Sequence, residues 1–237
     1  MPPPLEDRIA LVTGASRGIG RATALALARA GAHVVAVART VGGLEELDDA
    51  IRAEGGSATL VPLDLKDVPG IARLAAALRE RYQRLDVLVG NAGILGPLSP
   101  LDHIEPKAWE EVLAVNLTAN WHLIRTMHPL LKQSAAARVV FLTSGIGARP
   151  RAYWGPYATS KAALEGLART YAAETASTPI RVNLFNPGAT RTRMRAAAMP
   201  GEDPSELKTV APVAEKILEL CLPQLQETGK LYDFRDM

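Results

Sequence analysis

The sequence predicts an α/β fold, a doubly wound parallel sheet with helices on both faces. Short runs rich in Val, Ile and Leu alternate with longer stretches rich in Ala and Leu along the 237 residues. The short runs are apolar almost without a break, which is typical of strands buried on both faces of a parallel sheet. Alternating strands and helices, joined by right-handed crossovers, favour the doubly wound arrangement.

The apolar runs predict seven strands. In chain order they span residues 9–12, 34–37, 58–62, 86–89, 138–142, 180–185 and 230–234. Helices connect them, and Gly31 and Gly55 end the first two because glycine readily ends a helix. In chain order the helices span residues 18–30, 43–54, 71–82, 106–132, 155–174 and 212–220. We expect a single domain over residues 1–237, with an irregular and mobile flap at about residues 190–210.

The composition is that of a soluble globular protein, with 48% apolar and 22% charged residues. The net charge of +2 lacks the strong basic character of nucleic-acid binders. One cysteine, Cys221, excludes an intrachain disulfide and a cysteine-based metal cluster, so no metal is expected. No apolar run is long enough for a membrane span, and residues 1–4 do not resemble a signal peptide. The expected location is the cytoplasm.

A glycine-rich turn separates the first predicted strand from the first predicted helix. Gly14 suits the tight turn that leaves the strand, Gly18 allows close approach of a phosphate, and Gly20 allows the helix to pack on the sheet. The helix N-terminus offers free N–H groups and a partial positive charge to a pyrophosphate. The strand, turn and helix context therefore predicts a dinucleotide-binding site.

A second group of residues has the chemistry of an acid catalyst. Tyr157 and Lys161 are four residues apart at the start of a predicted helix, so their side chains share one face. A nearby ammonium group is expected to lower the pKa of the Tyr157 phenol. Ser144 follows the fifth strand, at the sheet edge where ligands bind. Asn116 interrupts an apolar helical stretch, where asparagine is unfavourable.

These residues resemble the short-chain dehydrogenase/reductase family in order and approximate spacing, over nearly the whole chain. The resemblance rests on Thr13 with the three glycines of the turn, and on the order Asn116, Ser144, Tyr157, Lys161. It implies a Rossmann-like fold and hydride transfer between a nicotinamide and a carbonyl or alcohol. In that mechanism Ser144 orients the substrate oxygen and Tyr157 exchanges its proton. Lys161 tunes Tyr157 and binds the nicotinamide ribose, and Asn116 helps to hold a water beside Lys161.

The resemblance also implies which residues contact the cofactor. The chain departs from many members at Gly90, where they have an asparagine. The implied contacts lie after the first, second, third, fourth and sixth strands and on the helix of Tyr157: Gly14, Ser16, Arg17, Gly18, Ile19, Gly20, Arg39, Asp64, Leu65, Asn91, Ala92, Gly93, Tyr157, Lys161, Pro187, Gly188, Thr190 and Thr192.

The end of the second strand favours NADP(H) over NAD(H). Folds of this type that prefer NAD usually place an acidic residue there to bind the ribose hydroxyls. Here Arg39 follows the strand, and the first acidic residue after the strand is Glu45. Arg39 and Arg17 are both placed to meet a 2′-phosphate, which suits the planar donors of arginine.

The substrate is not identified by these motifs. Five arginines lie in the regions that set specificity in the resembled family: Arg149, Arg151, Arg191, Arg193 and Arg195. They are compatible with an anionic substrate, although solvated surface charge is the commoner explanation.

Two further predictions concern assembly and function class. Small and apolar residues, among them Leu164, Ala168 and Tyr171, surround most of helices 106–132 and 155–174, beyond one core-facing stripe, and predict a homo-oligomer. The resemblance implies that these two helices pair in a dimer or tetramer. Two alternatives to an oxidoreductase remain open. They are a non-redox enzyme of the same fold, such as an epimerase or dehydratase, and a catalytically silent dinucleotide-binding module. A silent module would be free to lose Tyr157 or Lys161, and both are present.

Overall fold

A computed structural model describes residues 3–237 of the chain. Its seven strands form one parallel sheet in the order β3-β2-β1-β4-β5-β6-β7. The strands are β1 (Ile9–Thr13), β2 (His33–Ala38), β3 (Ser57–Pro62), β4 (Val87–Gly90), β5 (Arg138–Leu142), β6 (Arg181–Asn186) and β7 (Leu231–Asp233). The predicted doubly wound α/β fold is confirmed.

Helices cover both faces of this sheet. They are α1 (Gly18–Arg29), α2 (Val41–Ala53), α3 (Val68–Tyr82), α4 (Pro106–Leu113), α5 (Ala119–Leu131), α6 (Gly145–Ala148), α7 (Gly155–Glu174), α8 (Arg193–Ala198) and α9 (Val210–Cys221). The boundaries of the predicted long helices and strands lie within three residues of the observed ones, apart from the stretch 106–132. The sequence did not predict α6, which is too short to show a periodic pattern.

The two faces of the sheet bury separate apolar clusters. Side chains of α1, α2 and α9, such as Leu27, Leu47 and Ile217, pack on one face. Those of α3, α5 and α7, such as Leu123 and Leu164, pack on the other. Each fully buried Leu or Ile contributes roughly 1.5–3 kcal/mol to stability. The unbroken apolar strands are explained by this burial on both faces. Because one sheet includes strands from both ends of the chain, the structure supports the proposal of a single domain.

The long helix predicted over residues 106–132 has the expected extent but is not a regular α-helix throughout. A π-helical turn, Ala114–Thr118, separates α4 from α5. It contains Asn116, whose side chain bonds both backbone groups of Ile94 in a neighbouring loop. An inserted residue of this kind re-aims side chains locally, and such turns often occur at functional sites.

The strand order places the reversal of winding between β1 and β4. These two strands pair directly, with Leu11 opposite Leu88, although three helices and two strands separate them in the chain. The connection from β1 therefore leaves on one face and that from β4 on the other. Doubly wound sheets bind ligands in the crevice that this reversal opens at the carboxyl ends of the strands.

Within residues 3–237, none of the helices combines the length and the apolar character that crossing a bilayer requires.

Candidate active site

A cavity of about 1190 Å³ opens at the carboxyl ends of the strands, around the junction of β1 and β4. It exceeds the roughly 300–1,000 Å³ of typical small-ligand pockets, which suits a large ligand together with a small one. The residues predicted from the sequence that line it are Gly14, Ser16, Arg17, Gly18, Ile19, Arg39, Asp64, Leu65, Asn91, Ala92, Gly93, Ser144, Tyr157, Lys161, Pro187, Gly188, Thr190 and Thr192.

Gly20 and Asn116 are the two predicted site residues that do not line the cavity. Gly20 is buried behind the wall, where a Cβ atom would collide with the carbonyl oxygen of Gly14. Its position matches the expected packing of helix on sheet and not a direct cofactor contact. Asn116 is fully buried, with none of its surface exposed.

The glycine turn after β1 is held by the turn after β4. The Asn91 side-chain amide donates hydrogen bonds to the carbonyl oxygens of Thr13 at 2.8 Å and Gly14 at 3.3 Å. In return, the Thr13 hydroxyl oxygen accepts bonds from the backbone N–H groups of Asn91 and Ala92. Gly14 has a φ of +66°, and a Cβ there would lie only 2.8 Å from the Asn91 amide nitrogen. The two turns therefore need glycine at this position.

The N-terminus of α1 suits the phosphates of a dinucleotide. No acidic residue occupies the first turn, and Arg17 at the N-cap makes no side-chain capping bond. Gly18 has a φ of +59°, and a Cβ there would meet only a Thr192 methyl group at 3.8 Å. The backbone is therefore open to a close ligand, and uncapped N–H groups with the helix dipole favour an anion.

Tyr157 and Lys161 lie in the first turns of α7, as predicted. Both are buried, with 9% and 4% of their surfaces exposed. Lys161 Nζ lies 5.7 Å from the centroid of the Tyr157 ring and donates a 2.7 Å hydrogen bond to the Leu142 carbonyl oxygen. Ser144 begins α6 just after β5, and its hydroxyl accepts a bond from Ile146 N. The structure therefore places Ser144, Tyr157 and Lys161 on one wall of the cavity.

The expected lowering of the Tyr157 pKa is wrong for the chain alone. Burial raises the pKa of Tyr157 to about 12, and the neighbouring Ser144 hydroxyl opposes this only in part. Burial also lowers the pKa of Lys161 to about 8. The Lys161 ammonium is directed at the Leu142 carbonyl, so desolvation outweighs any attraction between Lys161 and the phenolate.

Asn116 joins three segments of the chain through its side chain. Its Oδ1 accepts from Ile94 N at 2.8 Å, and its Nδ2 donates to the Ile94 carbonyl at 2.9 Å and to Ser160 Oγ at 3.0 Å. Both amide hydrogens are therefore used. A Cβ at Gly93 would lie 3.3 Å from Asn116 Oδ1 and 3.7 Å from Lys161 Nζ, so these groups flank Gly93. The side chain fixes the loop after β4, while its expected role in holding a water stays a prediction.

The sequence missed Glu165 as a partner of the site. Glu165 is 7% exposed on α7, one turn beyond Lys161. Its carboxylate accepts a 2.9 Å hydrogen bond from Thr143 Oγ1, next to Ser144, and pairs with Arg169. The bond ties the end of β5 to the helix that carries Tyr157. No motif in the sequence distinguishes this glutamate from a surface one.

An apolar part of the wall surrounds Tyr157, and most of it was also missed. Trp154 packs edge-on to Tyr157, with ring centroids 6.1 Å apart. Leu95, Ile146 and Met194 complete the cluster around the phenol. They come from the loop after β4, from α6 and from α8, which are far apart in the chain, so their proximity had no signal in the linear sequence.

The far end of the cavity carries Arg17 and Arg39, both exposed. Arg39 follows β2 and lies 4.0 Å from the Asp64 carboxylate, a loose contact between two solvated groups. Arg39 therefore stays accessible to a ligand. The predicted flap begins with Thr190, which bridges to Lys208, and includes α8. Its mobility stays a prediction.

Comparison with known proteins identifies relatives of similar sequence. A family model described as short chain dehydrogenase matches residues 8–203. The oxidoreductase YciK of Escherichia coli (strain K12) is 42% identical over 233 residues, which cover 97% of this chain and 92% of that protein. The 2,3-dihydro-2,3-dihydroxybenzoate dehydrogenase of Bacillus subtilis (strain 168) is 32% identical, covering 85% of this chain and 77% of that protein.

Solved structures give the same result. A short chain dehydrogenase of Shigella flexneri 2a strain 301 in complex with NADP superposes with a TM-score of 0.95 at 39% identity, covering 99% of this chain and 100% of that one. One from Escherichia coli CFT073 in complex with NADPH has a TM-score of 0.93 at 39% identity, covering 99% of both chains.

The burial of Lys161 leads to a prediction for stability. A lysine whose pKa falls from 10.5 to about 8 on folding destabilises the folded chain by about 3 kcal/mol at pH 7. We expect Lys161→Met, which loses one hydrogen bond to Leu142, to gain about 1–2 kcal/mol of unfolding free energy at pH 7 without cofactor. Between pH 8 and 10.5 the unfolded wild type binds more protons than the folded one, so its stability rises and the gain shrinks.

Urea unfolding of both proteins at pH 7 and pH 9.5 checks this expectation. Lys107→Met, at an exposed position of α4, is the control and should show no such pH-dependent difference from wild type. A difference between Lys161→Met and wild type that stays constant across this pH range would contradict a depressed Lys161 pKa.

Proposed function

Since this chain is an oxidoreductase of the short-chain dehydrogenase/reductase family, we propose that it interconverts small carbonyl and alcohol substrates with NADP(H) as the preferred cofactor. The observation that carries the proposal is the convergence of Ser144, Tyr157 and Lys161 on the cavity that the glycine turn also lines. The relatives do not support the epimerase, dehydratase or silent-module alternatives, because those named above are oxidoreductases or dehydrogenases.

Each residue of this wall has a proposed role. When bound, the nicotinamide supplies or accepts the hydride. Ser144 would donate a hydrogen bond to the substrate oxygen and hold it beside Tyr157. In the direction of reduction, Tyr157 would give its phenolic proton to that oxygen, and in oxidation it would take the proton back. Lys161 would hold the nicotinamide ribose and favour the phenolate when charged.

The remaining contacts hold the cofactor and the frame around it. The N-terminus of α1, with Gly18 and Ile19, would bind the pyrophosphate, and Asn91 to Gly93 would line the adjoining wall. Thr190 and Thr192 would border the nicotinamide end of the cavity. Asn116 is proposed as a positioning residue, because its amide fixes Ile94 and Ser160 on either side of Lys161.

Tyr157→Phe tests the proton-transfer role. The variant lacks the hydroxyl but keeps the ring packed against Trp154, so we expect kcat to fall by about 10²–10⁴-fold with NADPH binding nearly unchanged. Reduction of a carbonyl panel is followed by NADPH absorbance, and binding by NADPH fluorescence. Tyr171→Phe is the matched control, because Tyr171 is a buried tyrosine of the same helix whose hydroxyl bonds His128. Retention of more than about a tenth of kcat/KM in Tyr157→Phe would exclude the proposed role.

The preference for NADP(H) is supported by two exposed arginines, Arg39 after β2 and Arg17 at the N-cap of α1. Arg39 and Arg17 line the end of the cavity beyond β1, where the fold places the adenosine ribose. A 2′-phosphate would meet both guanidinium groups there. Similar solved structures hold NADP or NADPH, in agreement with this proposal.

Arg39→Asp tests this preference. The new carboxylate would repel the 2′-phosphate and accept bonds from the ribose hydroxyls of NAD. We expect the ratio of kcat/KM for NADPH to that for NADH to fall by about tenfold to a hundredfold, mainly through KM for NADPH. The effect should shrink at high salt because Arg39 is exposed. Arg79→Asp, exposed on α3 outside the cavity, is the control. Equal use of both cofactors by wild type would contradict the preference.

We also propose that the chain forms a homo-oligomer through α5 and α7. The sequence-based argument was partly wrong, since Leu164, Ala168 and Tyr171 belong to the core of the single chain. The outward face of α7 is nevertheless built from small exposed residues that present little bulk: Thr159, Ala162, Gly166, Thr170 and Ala173. Trp121 on α5 is 45% exposed. An exposed tryptophan and a flat helix face are typical of an interface.

Gly166→Arg tests the assembly. A Cβ at Gly166 meets nothing within 4 Å in the single chain, so the arginine should leave the fold intact and block a close helix contact. We expect wild type to have the mass of a dimer or tetramer by light scattering at micromolar concentration, and Gly166→Arg a smaller mass. Gly42→Arg, at an equally open glycine of α2, is the control. A monomeric wild type would contradict the proposal. The cytoplasmic location expected from the sequence stays a prediction.

A further inference from the structure

We propose that the substrate carries an anionic group, a carboxylate or a phosphate, that binds Arg149 and Arg151. The inference rests on the proposed function, since it assigns the substrate class of the same cavity. It adds two specificity-determining residues to the site.

The charge of the cavity wall is the first observation. The chain as a whole has a net charge of only +2, yet basic side chains dominate the wall. Within the part of the chain that the structure describes, Asp64 is the one acidic residue that lines it. A concave site lined by charges of one sign focuses the potential and concentrates ligands of the opposite sign.

The bound cofactor would not neutralise Arg149 and Arg151. Its phosphates are proposed to lie at α1, Arg17 and Arg39, near the ends of β1 and β2. The two other arginines follow β5, three strand spacings or about 14 Å from β2 along the sheet. They therefore lie at the end of the cavity where the substrate would react.

The protein itself also leaves these two arginines free. Two other basic groups on the wall have internal partners, since Arg195 pairs with Glu202 and Arg235 pairs with Asp233. Arg193 on α8 also lines the wall and, among the described residues, makes no ion pair or side-chain hydrogen bond. Within residues 3–237, the side chains of Arg149 and Arg151 make no ion pair or hydrogen bond with the protein.

Both arginines lie on the segment between Ser144 and Tyr157 and line the same cavity as those two residues. Arg149 N donates to the Gly145 carbonyl, and the Arg151 carbonyl accepts from Trp154 N. The loop is tied to its neighbour because Ser99 N donates to the Tyr153 carbonyl at 3.0 Å. Both arginines are thus carried by a hydrogen-bonded loop that starts at the residue proposed to orient the substrate oxygen.

The apolar cluster around Tyr157 indicates that the rest of the inferred substrate is apolar. Trp154, Ile146 and Met194 would contact the part of the substrate next to the reacting carbon. The exposed arginines would then bind an anion at the opposite end of the molecule. The inferred substrate class is therefore a ketone or secondary alcohol with an apolar body and a terminal anion.

Matched ligands test this inference by binding. The protein saturated with NADPH is titrated with 4-acetylbenzoate and with its methyl ester, and binding is followed by NADPH fluorescence. A second pair, 4-acetylphenyl phosphate and 4-methoxyacetophenone, distinguishes phosphate from carboxylate. We expect at least one anion to bind about tenfold more tightly than its neutral counterpart, with the advantage reduced at high salt.

Variants of the two arginines test whether they cause the tighter binding of the anion. Arg149→Gln and Arg151→Gln, singly and together, should remove the advantage of the anion and leave binding of the neutral ketone unchanged. Arg79→Gln, exposed on α3 outside the cavity, is the control and should bind as wild type. Equal binding of anion and neutral ligand, binding of neither, or an advantage that survives the double substitution would overturn the inference.

Turnover of the same compounds separates this inference from the proposed function. If the neutral ketones are reduced with the same kcat/KM as their anionic counterparts, the oxidoreductase assignment stands and the anion site is wrong. If the anions bind through Arg149 and Arg151 but no ketone in a broad panel is reduced, the anion site stands and the proposed carbonyl chemistry fails.

Discussion

The contact between the turns after β1 and β4 is the constraint on which the rest of the site depends. Asn91 bonds the carbonyl oxygens of Thr13 and Gly14, and Thr13 bonds the backbone of Asn91 in return. These bonds hold the two carboxyl ends together where the winding of the sheet reverses. Glycine at positions 14 and 20 allows the two turns to approach this closely, because a side chain at either position would collide with Asn91 or the Gly14 carbonyl. The open N-terminus of α1 then faces the cavity.

Burial favours the neutral forms of both ionisable side chains on the wall that carries Tyr157 and Lys161. Burial opposes ionisation of Tyr157 and charge on Lys161, since water is replaced by apolar neighbours such as Trp154 and Ile146. Groups with strongly perturbed pKa values in a cleft are typical of functional sites. In this structure desolvation is the main cause of both shifts, and the Lys161 ammonium also donates a hydrogen bond to the Leu142 carbonyl.

Polar contacts outside the cavity explain how the wall keeps its geometry. The π-helical turn carries Asn116, whose amide joins the loop after β4 to α7 through Ile94 and Ser160. Glu165 joins the end of β5 to the same helix through Thr143. Both side chains are buried and hydrogen-bonded, so a change at either would leave a partner without its bond. These two connections join the segments that carry Ser144 and Tyr157 to each other and to the loop after β4.

The sequence by itself determined the fold class, the glycine turn and the pairing of Tyr157 with Lys161, because period and local spacing carry that information. It did not reveal the π-helical turn, the contact of Thr143 with Glu165 or the apolar cluster around Tyr157. These depend on residues far apart in the chain, and spacing says nothing about which distant side chains meet. The direction of the Tyr157 pKa shift was also decided by tertiary structure. The sequence shows that the charged Lys161 lies close to Tyr157. The desolvation that outweighs the effect of that charge on the Tyr157 pKa arises only when the chain is folded.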